Sequence, residues 1–192
     1  MSFPAALTRD DMEALDTLDL LPLRQRVGAT HGKPLAAGGH SLLDALSRPD
    51  RFRILRHGAG GQILARNGLA LAEAQHLLRQ AYGAAIAFGS PTVHTVTDRA
   101  TGQVLAPLMF LRIAAPRAYR QDLVQLLARC SPQQGTASFE GNRVVVRAEL
   151  PLARLIGLER EVLDRTEGAA DVLCRLARYG PVPGHAGEGL RA

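Results

Sequence analysis

The sequence has no tryptophan and only eight tyrosines and phenylalanines, and Lys33 is the single lysine among its 23 basic residues. An RNA-binding sheet that reads bases by stacking needs aromatic rings, so this scarcity argues against that mode. Arginine suits recognition of shape and phosphate, because its planar guanidinium matches phosphate geometry. The net charge of +5 and the pI of about 10.0 agree with an RNA partner. They agree equally with a GC-rich genome, which encodes arginine in preference to lysine, and both interpretations stay open.

Two cysteines, Cys130 and Cys174, are too few for a disulfide framework, and they lack the C-x-x-C spacing of a metal-ligand pair. The N-terminus has no basic region followed by an apolar run, as a secretory signal would. No segment offers about 18 consecutive apolar residues. We therefore expect a soluble, cytoplasmic protein with no membrane contact, and 46% hydrophobic residues are enough to bury a core.

Catalytic and metal-binding motifs are also missing. No G-x-x-x-x-G-K-[ST] segment occurs, and the glycines at 58–61 are followed by Gln62 and Ile63 instead of a lysine, so we expect no nucleotide hydrolysis. The six histidines form no H-x-x-x-H pair, and no serine has a G-x-S-x-G context. The sequence thus predicts a non-enzyme with no metal ion and no cofactor.

Hydrophobic patterning in the first half predicts the order β-α-β-β-α-β. The predicted elements are a strand at 21–27, a helix that begins near Ser41 and ends before Pro49, a hairpin of strands 52–56 and 62–66, a helix at 69–82 and a strand at 84–88. A further strand at 92–97 is predicted to bridge to the second half, with a polar turn at 98–102.

The second half repeats the same order of elements. Its predicted elements are a strand at 104–113, a helix with apolar residues from Tyr119 to Cys130, a hairpin of strands 135–139 and 143–150, a helix from Pro151 to Gly168 and a strand at 171–179. Two consecutive βαββαβ units predict an α+β fold of two tandem ferredoxin-like sandwiches with antiparallel sheets. The predicted organisation is a helical extension at 1–20, domains at 21–97 and 104–183, and a disordered tail at 184–192.

Alternation in the strand that begins at Arg143 sends Val144, Val146, Ala148 and Leu150 to the core and leaves arginines on the other face. In a ferredoxin-like sandwich that face carries no helix and is open to a partner. The candidate RNA-binding residues in and around this strand are Arg117, Arg120, Arg143, Arg147, Arg154 and Arg165. The alternative is a solvated face with local ion pairs, since carboxylates are interleaved with these arginines and Arg160 and Asp164 have the spacing of an intrahelical pair.

The stretch from Arg143 to Gly157 resembles the R-V-x-x-x-x-x-P-L-A-x-x-x-G pattern of the last domain, domain V, of translational GTPases in the elongation factor G, LepA and BipA/TypA group. The ending Tyr179–Pro183 is similar to that domain's Y-x-x-V-P. Upstream, the strand 52–54 and the segment 89–93 resemble parts of domain III. The resemblance covers residues 40–183 and includes neither the GTPase domain nor the tRNA-mimicking domain IV.

The resemblance implies a non-catalytic binding module, derived from a translation elongation factor, that docks on the large ribosomal subunit or its RNA and modulates translation. Leu69 and Leu71 stand where the relatives have an acidic residue and a histidine, and residues 168–171 replace a glycine-rich loop. These departures keep a second function open: a protein-interaction or regulatory module of the same fold, including a homodimer, with no ribosome contact. A small ligand bound between the two sandwiches is a third interpretation.

Overall fold

The structure is a computed structural model that describes residues 18–30, 39–58, 60–130 and 135–181. The predicted N-terminal helix and the predicted tail at 184–192 lie outside these ranges. So does most of the glycine-rich loop that follows the first strand.

The first unit is an antiparallel sheet in the order β2-β3-β1-β4, which is the strand order of a ferredoxin-like sandwich. A short fifth strand also pairs with β1. The elements are β1 (Leu23–Ala29), α1 (Gly39–Leu46), β2 (Phe52–His57), β3 (Gly60–Ala65), α2 (Gly68–Tyr82), a 3-10 turn (Gly83–Ala85), β4 (Ile86–Phe88) and β5 (Thr92–Val93).

The second unit has the equivalent order β10-β7-β9-β8, with a short strand β6 on β7. The elements are β6 (Val96–Thr97), β7 (Val104–Pro116), a 3-10 turn (Arg117–Tyr119), α3 (Arg120–Cys130), β8 (Gly135–Glu140), β9 (Arg143–Pro151), α4 (Leu152–Leu155), α5 (Leu158–Arg165) and β10 (Asp171–Pro181). The predicted fold class, α+β with two ferredoxin-like units, is confirmed.

Two local predictions are wrong. The expected bridging strand at 92–97 is two short strands, and each joins a different sheet. The expected continuous helix from Pro151 to Gly168 is two helices, because Ile156 is extended and Gly157 takes a φ of 85°, which glycine adopts at little cost. Pro151 is the last residue of β9 and not the first of the helix, and Ile156 is exposed instead of lying on the helix's apolar face.

One apolar core runs through both units. It joins Phe52, Ile54 and Leu78 of the first unit to Met109 and Val162 of the second. In β9 the residues predicted to face the core, Val144, Val146, Ala148 and Leu150, do belong to it. The helices of both units lie on the core side, so each sheet turns its other face outward.

Candidate nucleic-acid interface

The helix-free face of the second sheet carries Arg143 near one end of β9. Its Nη2 atom donates to the backbone carbonyl of Ala114 at 2.7 Å and lies 2.8 Å from Oδ2 of Asp171 on β10. The guanidinium is thus held against the sheet by a carbonyl and a carboxylate. The carboxylate of Asp171 therefore offsets its positive charge locally.

Arg147 lies four residues further along the same face, directly opposite Arg112 of β7 in the strand register. Two like charges opposite each other repel, and Glu140 of β8 bridges them, 2.5 Å from Nη2 of Arg147 and 3.1 Å from Nη2 of Arg112. The hydrogen bond from Arg147 holds the pKa of the Glu140 carboxyl below its ordinary value, and Arg112 adds to the effect. The carboxylate is therefore charged at neutral pH, as the arginines are.

The rest of this face repeats the arrangement. Arg178 of β10 lies 2.6 Å from Glu149 of β9, and the guanidinium of Arg175 lies 5.2 Å from the centre of the Phe110 ring. By strand register the face holds five arginines and three carboxylates. The surface is mixed in sign, and ion pairs this exposed add little stability.

Arg117 and Arg120 lie on the opposite side of the second sheet. Their guanidinium carbons are 4.7 and 5.6 Å from the ring centre of Phe139. Phe139 pairs with Val144, a core-facing residue, so its side chain points to the helix side at the edge strand β8. Phe139 is 53% exposed, and within the described ranges neither arginine makes an ion pair with a carboxylate.

The last two predicted residues lie on the helices after β9. Arg154 donates through Nη1 to the backbone carbonyl of Cys130 at 2.8 Å. Arg165 shares Glu161 with Arg129, at 2.9 and 2.5 Å, and the hydrogen bond from Arg129 lowers the pKa of the Glu161 carboxyl. The structure thus brings Arg117 and Arg120 together at Phe139, places Arg143 and Arg147 on another face, and leaves Arg154 and Arg165 apart from both pairs.

A third arginine surface, which was not predicted from the sequence, lies on the helix-free face of the first sheet. Arg24 and Arg26 of β1 and Arg53 of β2 point outward there, since Leu23, Val27 and the flanking residues of β2 face the core. The alternation of β1, in which buried residues at 23, 25 and 27 flank the two arginines, is the signal that could have found it. No family motif marks β1.

The two units also meet at a buried polar contact. The amide of Asn67 donates to the Cys174 carbonyl at 2.9 Å, while its Oδ1 atom accepts from the N–H of Ala70 and caps α2. Glu159 of α5 is 2% exposed, and its Oε2 atom accepts from the N–H of Leu69 at 3.1 Å. Burial raises the pKa of Glu159, an effect that outweighs the backbone N–H groups of Leu69 and Gly68 that favour the charged form.

Within the described ranges, one small pocket and the positions of the metal-ligating side chains bear on ligand and metal binding. A pocket of about 170 Å³ lies between Val93, Pro107, Leu152 and Arg154, which is small beside the roughly 300–1,000 Å³ of typical ligand pockets. Within the described ranges no three His, Cys, Asp or Glu side chains are grouped to hold a metal ion. No helix of that part of the chain is long and apolar enough to cross a membrane.

Known proteins resemble this chain in both sequence and fold. The sequence model of the elongation factor G C-terminus matches residues 103–189. Elongation factor G of Granulibacter bethesdensis is 29% identical over 85 residues, which are 44% of this chain and 12% of that protein. A crystal structure of a protein from Thermus thermophilus superposes with a TM-score of 0.57 at 15% identity, over 84% of this chain and 41% of that one.

The chain therefore spans a small part of the elongation factor G that it matches and less than half of the structural relative. At 15% identity the structural likeness speaks for the fold alone, and it extends over both units. The sequence match covers the second unit, where the pattern from Arg143 to Gly157 lies. The predicted relationship to the elongation factor G group is confirmed for the second unit, which matches the sequence model of the elongation factor G C-terminus.

Proposed function

We propose that this chain is a non-catalytic, cytoplasmic binding module that docks on the large ribosomal subunit through its RNA and modulates translation. The observation that carries the proposal is the cluster of Arg117, Arg120 and Phe139, hereafter the Phe139 cluster. It combines an aromatic side chain that is 53% exposed with two guanidiniums stacked over its ring. Aromatic rings and guanidinium planes are the groups on which proteins stack unpaired RNA bases, and the same guanidiniums bind phosphate.

Charge distinguishes this cluster from Arg143, Arg147 and Arg165, while Arg154 has no carboxylate partner in the described chain and donates to a backbone carbonyl. Arg143, Arg147 and Arg165 each lie within 3 Å of a carboxylate of the same chain, at 2.8, 2.5 and 2.9 Å. A phosphate that approached them would compete with that carboxylate. Arg117 and Arg120 have no such competitor among the described residues, so their charge is available to an anionic partner.

Sedimentation tests the proposal. The full chain is mixed with purified large ribosomal subunits and centrifuged at about 50 and 200 mM salt, where contacts with several phosphates weaken steeply. We expect co-sedimentation at the lower salt and release at the higher. Failure to sediment with the subunit at the lower salt would overturn the proposal.

A matched pair of variants locates the contact. Arg117→Gln/Arg120→Gln removes two charges at the Phe139 cluster, and Arg129→Gln/Arg160→Gln removes two from α3 and α5, where both side chains are exposed. We expect the first pair to weaken binding about tenfold, because each phosphate contact contributes to affinity, and the second to leave it nearly unchanged. Equal losses in both would mean that only net charge matters.

A protein-interaction module is the second candidate function, and the helix-free face of the second sheet favours it. Leu173 is 45% exposed on the edge strand β10, with Arg112 of β7 beside it in the register and Asp171, the partner of Arg143, two residues before it on the same strand. An exposed apolar side chain beside charges of both signs is a combination found in protein interfaces. Light scattering in high salt tests it: a defined oligomer that Leu173→Glu dissociates supports this function, and a monomer at all concentrations excludes the homodimer.

A further inference from the structure

We infer that the helix-free face of the first sheet binds the phosphate backbone of base-paired RNA. The inference rests on the proposed function and adds a second contact to it, on the other unit and of a different kind. We call this surface the β1 face. By strand register it comprises Arg24, Arg26, Arg53, Leu55, His57, Gln62, Leu64 and Thr92.

The β1 face carries one sign of charge. Three arginines point outward from β1 and β2, and the register places no aspartate or glutamate beside them. None of the three makes an ion pair with a described residue. Asp19 and Arg24 both lie close enough to Tyr179 to affect the pKa of its hydroxyl group. Asp19 makes no ion pair with Arg24, however, and its Oδ1 atom lies 2.8 Å from Nε2 of His94.

The strand register fixes the spacing of the three arginines along and across the sheet. Arg24 and Arg53 both pair with Leu64, so they stand two strand spacings apart, about 10 Å, and Arg26 follows Arg24 by two residues, about 7 Å. Leu64 between them is 2% exposed, although the described helices of the first unit lie on the other side of the sheet.

The kind of RNA follows from what the face lacks. By strand register the one ring on the β1 face is the imidazole of His57 at the end of β2, and no phenylalanine or tyrosine of the described ranges belongs to it, so it offers no large aromatic surface on which an unpaired base could stack. Double-stranded RNA is recognised by shape and by phosphate and sugar contacts, for which rigidly placed guanidiniums are sufficient. The β1 face therefore differs from the Phe139 cluster, where an exposed ring suits an unpaired nucleotide.

The second sheet provides an internal comparison. Its equivalent face holds five arginines but also Glu140, Glu149 and Asp171, each within 3 Å of an arginine. Two sheets of the same topology thus present surfaces of different character, one mixed in sign and one positive. Net charge alone would not have distinguished them.

Fluorescence anisotropy with a labelled RNA duplex of about 20 base pairs tests the inference on the full chain, independently of any ribosome. Arg24→Gln/Arg26→Gln/Arg53→Gln removes the three charges, and Arg99→Gln/Arg129→Gln/Arg160→Gln removes the same number elsewhere. We expect the first variant to bind at least about tenfold more weakly. The slope of the logarithm of affinity against the logarithm of salt concentration, called the salt slope below, should fall by about three, one for each phosphate contact. The control triple should keep the slope of the unmodified chain.

Arg24 is half-buried, with an Nε atom that finds no partner within the described chain, so its removal could unfold the first unit. Arg26→Glu provides a second variant, since Arg26 is exposed and we expect its replacement to leave the fold intact. We expect this single reversal to weaken duplex binding by a similar factor while the melting temperature stays the same. A melting curve accompanies each variant.

The outcomes separate the two proposals. If the duplex binds and the β1-face variants behave like the controls, the inference is overturned while the proposed function stands. If the chain binds the duplex through the β1 face but ignores the ribosomal subunit, the proposed function falls and the inference stands. If no duplex binding occurs at about 50 mM salt, the β1 face is a docking surface for an acidic protein or has no polyanionic partner, and the inference is wrong.

Discussion

The carboxylate of Glu159, on helix α5 of the second unit, accepts a hydrogen bond from the backbone N–H of Leu69, in the first turn of helix α2 of the first unit, at 3.1 Å. The first N–H groups of a helix have no partner within the helix, and a negative charge there is favoured by the helix dipole. The residues that meet here are 90 positions apart. One unit thus caps a helix of the other, and both sandwiches are tied together at a buried point.

Removing this cap should destabilise the protein. Glu159→Ala leaves the N–H of Leu69 without its acceptor in a part-buried position, and an unsatisfied donor costs about 1–3 kcal/mol when it is fully buried. Glu159→Gln keeps an acceptor oxygen of the same shape and should cost less. Urea unfolding followed by circular dichroism checks the order of the three proteins. Equal stability of the alanine and unmodified proteins would show that the contact contributes nothing.

The same carboxylate makes stability depend on pH. Burial raises the pKa of Glu159 above its ordinary value of 4.5, so the folded protein holds a proton that the unfolded chain has already released. Its contribution to stability is full below pH 4.5, declines as the pH rises through the folded pKa, and is constant above it. We therefore expect the unmodified protein to lose stability relative to Glu159→Gln over that interval. Urea titrations of both proteins from about pH 4 to 8 measure the difference, and a difference that grows in the opposite direction would contradict it.

Replacing Gly68 by alanine should lower the stability of the protein only while Glu159 is present. A Cβ atom at Gly68 would lie 2.6 Å from Oε2 of Glu159, closer than a non-bonded carbon and oxygen normally approach, so the buried carboxylate would have to move off the N–H of Leu69. Alanine is otherwise favoured over glycine in a helix by roughly 1 kcal/mol. Gly68→Ala should therefore destabilise the unmodified protein and stabilise the Glu159→Ala protein. A double-mutant cycle measures this change of sign. Additive effects would show that the two residues are not in contact.

Glu140 should suppress nucleic-acid binding by the second sheet. Its single negative charge partly offsets the positive charges of Arg147 and Arg112, which face each other across β9 and β7. Glu140→Gln leaves both guanidiniums without a counter-charge and should raise RNA affinity, with a salt slope steeper by about one for each phosphate gained. Asp122→Asn, which removes a carboxylate from the first turn of α3, is the control for net charge. An unchanged slope in Glu140→Gln would mean that this face stays away from the RNA.

Much of the fold could be predicted because periodicity reports which side of an element is buried. The alternation at Val144, Val146 and Leu150 predicted the core face of β9 correctly. The break at Gly157 could not be read from the same signal, since Leu152, Leu155 and Val162 keep helical spacing across it. A glycine inside a helix pattern and a glycine with positive φ look alike in the sequence.

The ion-pair partners of the arginines could not be predicted from the sequence. The strand pattern predicted that Arg143 and Arg147 leave the core, and both do lie on the helix-free face. Which carboxylate each would meet depended on the neighbouring strands: Asp171 lies on β10 and Glu140 on β8. The alternative of a face with local ion pairs, left open by the sequence, is what the structure has at these two positions.

Spacing along the chain was enough to establish the two βαββαβ units, the apolar faces of their elements and the pattern that relates the second unit to elongation factor G. Packing in three dimensions decided which charges offset one another. Arg143 and Arg147 lie beside carboxylates, whereas Arg117 and Arg120 stack on Phe139. On the β1 face, the strand register places no acidic residue beside Arg24, Arg26 and Arg53. Packing also placed the Glu159 carboxylate on the N–H of Leu69, beside the Asn67 N-cap of α2. The reason is physical: electrostatic and hydrogen-bond partners are set by distance in space, which the order of strands and the packing of helices impose and periodicity does not record.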